Sequence, residues 1–114
     1  MVGVSRLRLT PTTPPVIVPF RASFRDAIRE GRKTATTRTT RYGWPGDKLT
    51  TSFGISIVLT DVYQQTLTWV AHHLWQEEAV ESPEAFVAVW RSLHRGSWDD
   101  HRMVWVHRFK TVYP

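Results

Sequence analysis

Between residues 31 and 38 the chain reads Gly31-Arg32-Lys33-Thr34-Ala35-Thr36-Thr37-Arg38. Threonine favours extended backbone, so the pattern predicts a strand over residues 33–40 that follows a turn at the glycine. On a strand, Thr34, Thr36 and Arg38 share one face, and Lys33 can reach Thr36 only if it lies in the turn and folds back. The cations and hydroxyls are suited to anion binding or to nucleophilic chemistry, but an exposed strand with solvated charges has the same residue types.

A short helix is predicted just before this strand. Phe24, Ala27 and Ile28 follow one another at the spacing of one helical face, which predicts a helix over residues 23–30. Ser23 is its expected N-cap, and Gly31 stands where such a helix ends. A short apolar strand over residues 16–20 is predicted ahead of it.

The remaining pattern predicts a turn at residues 43–46, strands over 48–53 and 55–63, and a helix near 67–74. A further helix begins with Ser82 as N-cap and Pro83 in the first position, and a closing strand covers residues 103–109. About five strands and three short helices in this order indicate an α+β fold with a largely antiparallel sheet. The side chains expected in the core are Phe24, Ile28, Phe86, Trp90, Val104 and Val106.

Composition narrows the possible functions. The 114 residues suit one domain, expected over residues 16–114 behind a basic, Pro/Thr-rich arm of residues 1–15. With 15 Lys and Arg against 10 Asp and Glu, the net charge of +5 favours anionic partners, nucleic acid first. The absence of cysteine excludes disulfides and a thiolate nucleophile. No long apolar run or secretion signal is present, so we expect a cytoplasmic protein without a membrane partner.

The stretch of residues 31–38 resembles the Gly-x-Lys-x-x-Thr-x-Arg pattern of ASCH domains. Phe20 and Phe24 before it, Gly46-Asp47 after it and a Ser-Pro-Glu segment at residues 82–84 extend the resemblance over residues 16–110. The resemblance implies a PUA-like fold, a small β-barrel of about five mostly antiparallel strands with two to three short helices. It also implies a cleft between the barrel and the helices, and an association with RNA binding and RNA metabolism.

One branch of that family, similar in the string Gly-Arg-Lys-Thr-x-Thr-x-Arg, removes the acetyl group from acetylcytidine. The resemblance to that branch implies a catalytic set of Lys33, Thr36 and Glu78, with the adjacent Glu77 as the alternative glutamate facing the cleft. A threonine nucleophile needs a base, and a lysine serves as one only when its pKa is lowered. The residues expected to bind the substrate or to supply charge around it are Arg32, Arg38, Tyr42, Trp44 and Glu77.

Three functions remain open from the sequence, and none of them requires a cofactor. The first is hydrolysis of a modified nucleoside, the second non-catalytic RNA binding, and the third RNA cleavage with Lys33, Arg38 and a histidine. The partner is therefore RNA or a modified nucleoside, and the oligomeric state stays open. His73 and Glu77 have the i, i+4 spacing of metal ligands but lack a recognisable third ligand, so no metal site is predicted.

Overall fold

The computed structural model describes residues 16–113, so the predicted arm of residues 1–15 lies outside the described residues. The described part forms five strands and three α-helices, which confirms the α+β class. The strands are β1 (Ile17–Val18), β2 (Ala35–Arg38), β3 (Lys48–Thr51), β4 (Ser56–Thr66) and β5 (Met103–Thr111). The helices are α1 (Arg25–Arg29), preceded by a 3₁₀ helix (Ala22–Phe24), then α2 (Leu67–His73) and α3 (Pro83–Leu93). No helix in this part of the chain has both the length and the apolar character needed to cross a membrane.

The strands form one mixed sheet in the order β1-β3-β4-β5-β2. Only β1 and β3 run parallel, and the other neighbours are antiparallel. The long strands β4 and β5 lie at the centre, paired from Ile57 with Thr111 to Thr66 with Met103. This arrangement leaves β2, which carries the threonine-rich stretch, at an edge of the sheet.

The sheet does not close into the barrel that the resemblance implied. Among the described residues, β1 and β2 remain the two edges of the sheet. Strand β1 has only two residues, and Pro19 directly after it has no backbone N–H with which to extend a ladder. A side chain bridges the gap instead, since Nη2 of Arg38 donates to the carbonyl oxygen of Pro19 at 2.7 Å. The sheet is therefore open between its two edges.

The sheet separates two hydrophobic cores. Val104 and Val106 of β5 pack with helices α2 and α3, whereas Phe109 packs with α1 and the other strands. Neighbouring residues of a strand point to opposite faces, which explains how one strand serves both cores. Five of the six expected core residues are buried, and Phe24 is half-buried.

Two helix starts were predicted, with different outcomes. The start of α3 is confirmed, because Oγ of Ser82 accepts a hydrogen bond from the backbone N–H of Ala85 at 3.0 Å and Pro83 follows the cap. The assignment of Ser23 as an N-cap is wrong, since this residue lies within the 3₁₀ helix and α1 begins at Arg25. The 3₁₀ turn tightens the entry to α1, so the serine side chain makes no capping bond.

Gly31 ends α1 as predicted, in the left-handed conformation with φ of +77°. The following strand begins only at Ala35, so it is shorter than predicted. Lys33 consequently lies in the turn, which meets the geometric condition for its side chain to fold toward the site.

Candidate functional site

A cavity of about 470 Å³ opens at the edge of β2, between this strand, the 3₁₀ helix and α3. One end is polar and the wall provided by α3 is apolar. The polar end includes Lys33, Thr36, Thr37, Arg38 and Glu78, and the apolar residues on α3 are Phe86, Val89, Trp90 and Leu93. The volume is in the range of about 300–1,000 Å³ found for small-molecule sites.

A buried ion pair lies at the polar end. Nζ of Lys33 donates to Oε1 of Glu78 at 3.0 Å and to the backbone carbonyl of Glu78 at 2.8 Å. The two side chains are only 3% and 7% exposed, and Nζ lies 4.3 Å from the ring centroid of Phe24. Burying charges is costly unless they are paired, so each of these two groups depends on the other for its charged form.

Burial lowers the pKa of Lys33, because removing an ammonium from water disfavours its charged form. The carboxylate of Glu78 opposes this effect, and the positive charge of Arg38 adds to it. The net direction is downward, so this amine gives up a proton more readily than an exposed lysine does.

The turn after α2 aims Glu78 inward. Ala79 is in the left-handed region with φ of +63°, and the backbone N–H of Glu78 donates to the carbonyl of Leu74 at 2.9 Å. The carbonyl of Glu77 accepts the N–H groups of Thr34 and Ala35 at 2.8 and 3.0 Å, which ties this turn to the start of β2.

Of the two adjacent glutamates, Glu78 faces the cavity. The carboxylate of Glu77 points away, toward Arg108, with Oε2 3.5 Å from its Nη2. The sequence left open which of the two glutamates faces the cleft, and the structure places Glu78 there.

The cavity is lined by two adjacent threonines with different partners. Oγ1 of Thr37 donates to Oε2 of Glu78 at 2.6 Å, whereas Oγ1 of Thr36 accepts from Nε of Arg38 at 2.9 Å. They point to opposite faces, since Thr36 pairs with His107 and Thr37 with Val106 on β5. Both nevertheless line the cavity. Sequence reasoning missed Thr37, for which the only signal was its place beside Thr36.

Arg38 and Tyr42 also line the cavity. The guanidinium carbon of Arg38 lies 4.8 Å from the ring centroid of Phe20 and 5.4 Å from that of Tyr42. The backbone N–H of Tyr42 donates to Nε2 of the buried His107 at 3.0 Å, and burial lowers the pKa of that imidazole. A neutral His107 therefore anchors the loop that follows β2.

The structure does not bring the other expected binding residues to this cavity. Nε of Arg32 pairs with Oε1 of Glu30 at 2.8 Å on the surface, and Glu77 faces Arg108. Trp44 is 54% exposed and lies under the guanidinium of Arg41, 3.9 Å from the ring centroid. Across residues 16–113, no three metal-ligating side chains cluster.

Apart from Tyr42, the aromatic residues of the lining were not assigned to the site from the sequence. Trp90, expected only in the core, borders the cavity and stacks on His94 with centroids 3.9 Å apart and planes 13° from parallel. Phe20 and Phe24 border it from the opposite side. Their spacing in the sequence gives no sign of this, because it depends on how the segment before α1 lies against β2 and α3 in the folded chain.

The fold has counterparts among solved structures. An ASCH domain from Lactobacillus crispatus matches with a TM-score of 0.63 and 18% identity, covering 87% of this chain and 81% of the other. A protein of the DUF984 family from Enterococcus faecalis matches with a TM-score of 0.64 and 16% identity, over 86% and 80%. A variant ASCH protein from Zymomonas mobilis matches with a TM-score of 0.60 and 14% identity, over 82% and 67%.

These likenesses establish the class of fold: the chain has the fold of the ASCH domain, as its sequence resemblance implied. No protein-family model matches the sequence. No curated protein matches it either. What the chain does must therefore be inferred from its own cavity.

Proposed function

We propose that this protein hydrolyses the exocyclic acyl amide of a modified cytidine nucleoside, with acetylcytidine as the simplest substrate. The proposal rests on one observation, the buried pair of Lys33 and Glu78 at the polar end of a cavity of about 470 Å³. The resemblance supplies the reaction type and assigns Thr36 to the catalytic set with this pair.

A buried ion pair has a functional explanation more readily than a structural one. Desolvating two charges is costly, and a well-packed apolar pair of the same volume is often equally stable. A lysine with a pKa lowered by burial, next to a carboxylate and open to a cavity, is the kind of group found in catalytic sites. The pair therefore supports proton transfer at this end of the cavity.

The shape of the cavity supports a single nucleoside as the ligand. Its volume of about 470 Å³ suits one small molecule, and its lining includes residues of the 3₁₀ helix and of α3. The donors of Arg38 suit the carbonyl oxygen of a pyrimidine, and the Tyr42 ring provides a face for stacking. An apolar wall opposite these groups suits the acyl and base carbons.

The proposed chemistry is acyl transfer to a threonine hydroxyl followed by hydrolysis. The hydroxyl attacks the acyl carbonyl, and the Lys33–Glu78 pair accepts its proton and delivers it to the exocyclic nitrogen as the C–N bond breaks. Water then releases the acid from the threonine ester. The products are cytidine and, from the simplest substrate, acetate.

The direct test is incubation of the purified protein with acetylcytidine, with chromatography of the nucleoside products. We expect cytidine to appear with wild-type protein and not with Lys33→Arg, because a guanidinium stays protonated and cannot share a proton with Glu78. Arg32→Lys is the matched control, since that residue lies on the surface beside Glu30. Wild-type protein that releases no more cytidine than Lys33→Arg would refute the proposal.

RNA binding is the second candidate function, favoured by an observation outside the cavity. Arg41 and the exposed Trp44 form a stacked cationic and aromatic pair on the surface, and the chain carries a net charge of +5. Unpaired bases stack on such side chains, and phosphates attract such charge. The two functions differ in how strongly salt should weaken binding, because only a polynucleotide releases many counterions.

A further inference from the structure

We infer that the nucleophile of this site is Thr37, and that Oε2 of Glu78 accepts its proton. This inference rests on the proposed acyl-transfer function and specifies which hydroxyl performs it. It differs from the sequence resemblance, which places the neighbouring Thr36 in that role.

The hydrogen bonds of Glu78 carry the inference. Its Oε2 accepts the hydroxyl of Thr37 at 2.6 Å, while its Oε1 accepts Nζ of Lys33 at 3.0 Å. A hydroxyl, a carboxylate and a lysine that shares its proton with that carboxylate thus form one connected chain, with both carboxylate oxygens held in place. A nucleophile within hydrogen-bond reach of a base, with that base oriented by a third group, is the arrangement that activates hydroxyl nucleophiles.

Thr36 has a different set of contacts. Its Oγ1 accepts a hydrogen bond from Nε of Arg38 at 2.9 Å, and within residues 16–113 no side chain accepts a hydrogen bond from its hydroxyl. Nη2 of the same guanidinium donates to the carbonyl of Pro19. Thr36 therefore acts as a positioning residue that holds Arg38 at the cavity.

Each step of the reaction balances. The Thr37 proton moves to Oε2 of Glu78 as Oγ1 bonds to the acyl carbon. The tetrahedral adduct collapses with cleavage of the C–N bond, and Glu78 gives the proton to the exocyclic nitrogen, which releases cytidine. Glu78 then takes a proton from water, the hydroxide adds to the threonine ester, and the C–O bond breaks. The Glu78 proton returns to Oγ1, which releases the acid.

An acyl-enzyme trapping experiment tests the inference without depending on the nucleoside. The wild-type protein is treated with p-nitrophenyl acetate, quenched in acid, digested and sequenced by tandem mass spectrometry. We expect the acetyl group on Thr37. The modification should be lost in Thr37→Val, which keeps the shape of the side chain, and retained in Thr37→Ser and in Thr36→Val.

Steady-state kinetics with acetylcytidine provide the second measurement. Thr37→Val should lower kcat by about 10²–10⁴-fold, the range expected when nucleophile and base no longer act together. Thr36→Val should raise KM more than it lowers kcat, because it loosens Arg38 and leaves the Thr37–Glu78 bond intact.

The possible outcomes separate the inference from the proposed function. Acetyl on Thr37 in a protein that does not hydrolyse acetylcytidine would refute the proposed substrate and support the nucleophile. Acetyl on Thr36 or on Lys33, or no adduct at all in wild-type protein, would overturn the assignment of Thr37. Since the wild-type adduct is itself decisive, a Thr37→Val variant that fails to fold does not weaken the test.

Discussion

At the scale of single residues, the site depends on charges that are almost completely removed from water. Lys33 and Glu78 are 3% and 7% exposed, and their mutual hydrogen bonds replace the hydration that both lose on folding. Replacing either residue should also lower the stability of the fold, because the other charge is then left buried without a partner charge.

Lys33→Met should strongly destabilise the protein. It removes the ammonium and leaves the Glu78 carboxylate buried alone, which costs about 3–5 kcal/mol in comparable cases. Adding Glu78→Leu should restore most of this loss, because an apolar pair carries no desolvation cost. The measurement is the free energy of unfolding in urea for both variants. A single variant within about 1 kcal/mol of wild type would contradict the importance of the pair.

His107 should make the stability pH-dependent at mildly acidic pH. Burial lowers its folded-state pKa below the unfolded value of about 6.5. The unfolded chain therefore binds the proton more readily, so this contribution to stability is complete above pH 6.5 and is lost as the pH falls toward the folded pKa. The slope is at most about 1.4 kcal/mol per pH unit for one proton.

The measurement for His107 is urea unfolding between pH 7.5 and pH 5. His107→Gln, whose side-chain oxygen can still accept the Tyr42 N–H, should remove this part of the slope. The control is His101→Gln in the exposed loop before β5, which should leave the slope as it is. An unchanged slope in His107→Gln would show that another group titrates in this range.

At the scale of elements, the turn between α2 and α3 decides the orientation of the Glu78 carboxylate. The backbone N–H groups of Thr34 and Ala35, at the start of β2, donate to the carbonyl of Glu77, and Ala79 takes the left-handed conformation immediately after Glu78. The N-cap of α3 at Ser82 then begins the helix that forms the apolar wall of the cavity. Local backbone geometry, rather than side-chain preference, places Glu78 on the inside.

Substitutions at Ala79 should measure how much the left-handed turn contributes to stability while the Lys33 and Glu78 side chains are left unchanged. Ala79→Gly removes the Cβ penalty of the left-handed conformation, about 1–2 kcal/mol, against about 0.5–1 kcal/mol of added backbone entropy, so we expect a small gain in stability. Ala79→Val should lose about 1–3 kcal/mol, because a β-branched residue resists positive φ. Thermal unfolding monitors both variants, and equal effects of glycine and valine would refute the role of backbone strain.

At the scale of the whole molecule, the open side of the sheet and the cavity coincide. A closed barrel would pair β1 with β2 and cover the polar edge that carries Thr36, Thr37 and Arg38. Because β1 is only two residues long and is followed by Pro19, the edge stays accessible, and the 3₁₀ helix and α3 form the sides of the cavity. The departure from a closed barrel therefore creates the candidate site.

The dependence of binding on salt distinguishes the two candidate functions at this scale. A neutral nucleoside inside the cavity releases no counterions, so its affinity should change little between 50 and 200 mM salt. Single-stranded RNA held by surface cations should weaken with a slope of about −0.7 per phosphate contacted. Arg41→Ala should reduce only the RNA slope, and calorimetric titrations with both ligands provide the measurement. Nucleoside affinity that falls steeply with salt would contradict binding inside the cavity.

Much of the element order follows from local signals in the sequence. The turn at Gly31, the capped start of α3 at Ser82 and the burial of Phe86 and Trp90 follow from backbone preference and hydrophobic spacing, which act over a few residues. The class of fold also follows, since short strands in close succession with few helices favour an antiparallel sheet. A resemblance in several short segments, in the right order over residues 16–110, indicated the ASCH fold that the solved structures share.

Only the tertiary structure decided which side chains meet. The choice of Glu78 over Glu77 depends on the turn at Ala79, and the pairing of Glu78 with Thr37 depends on how that turn docks on β2. The openness of the sheet depends likewise on how far two distant strands can pair. Local sequence determines which conformations each segment prefers, whereas contacts between residues about 40 positions apart depend on packing, whose energy is shared by the whole chain.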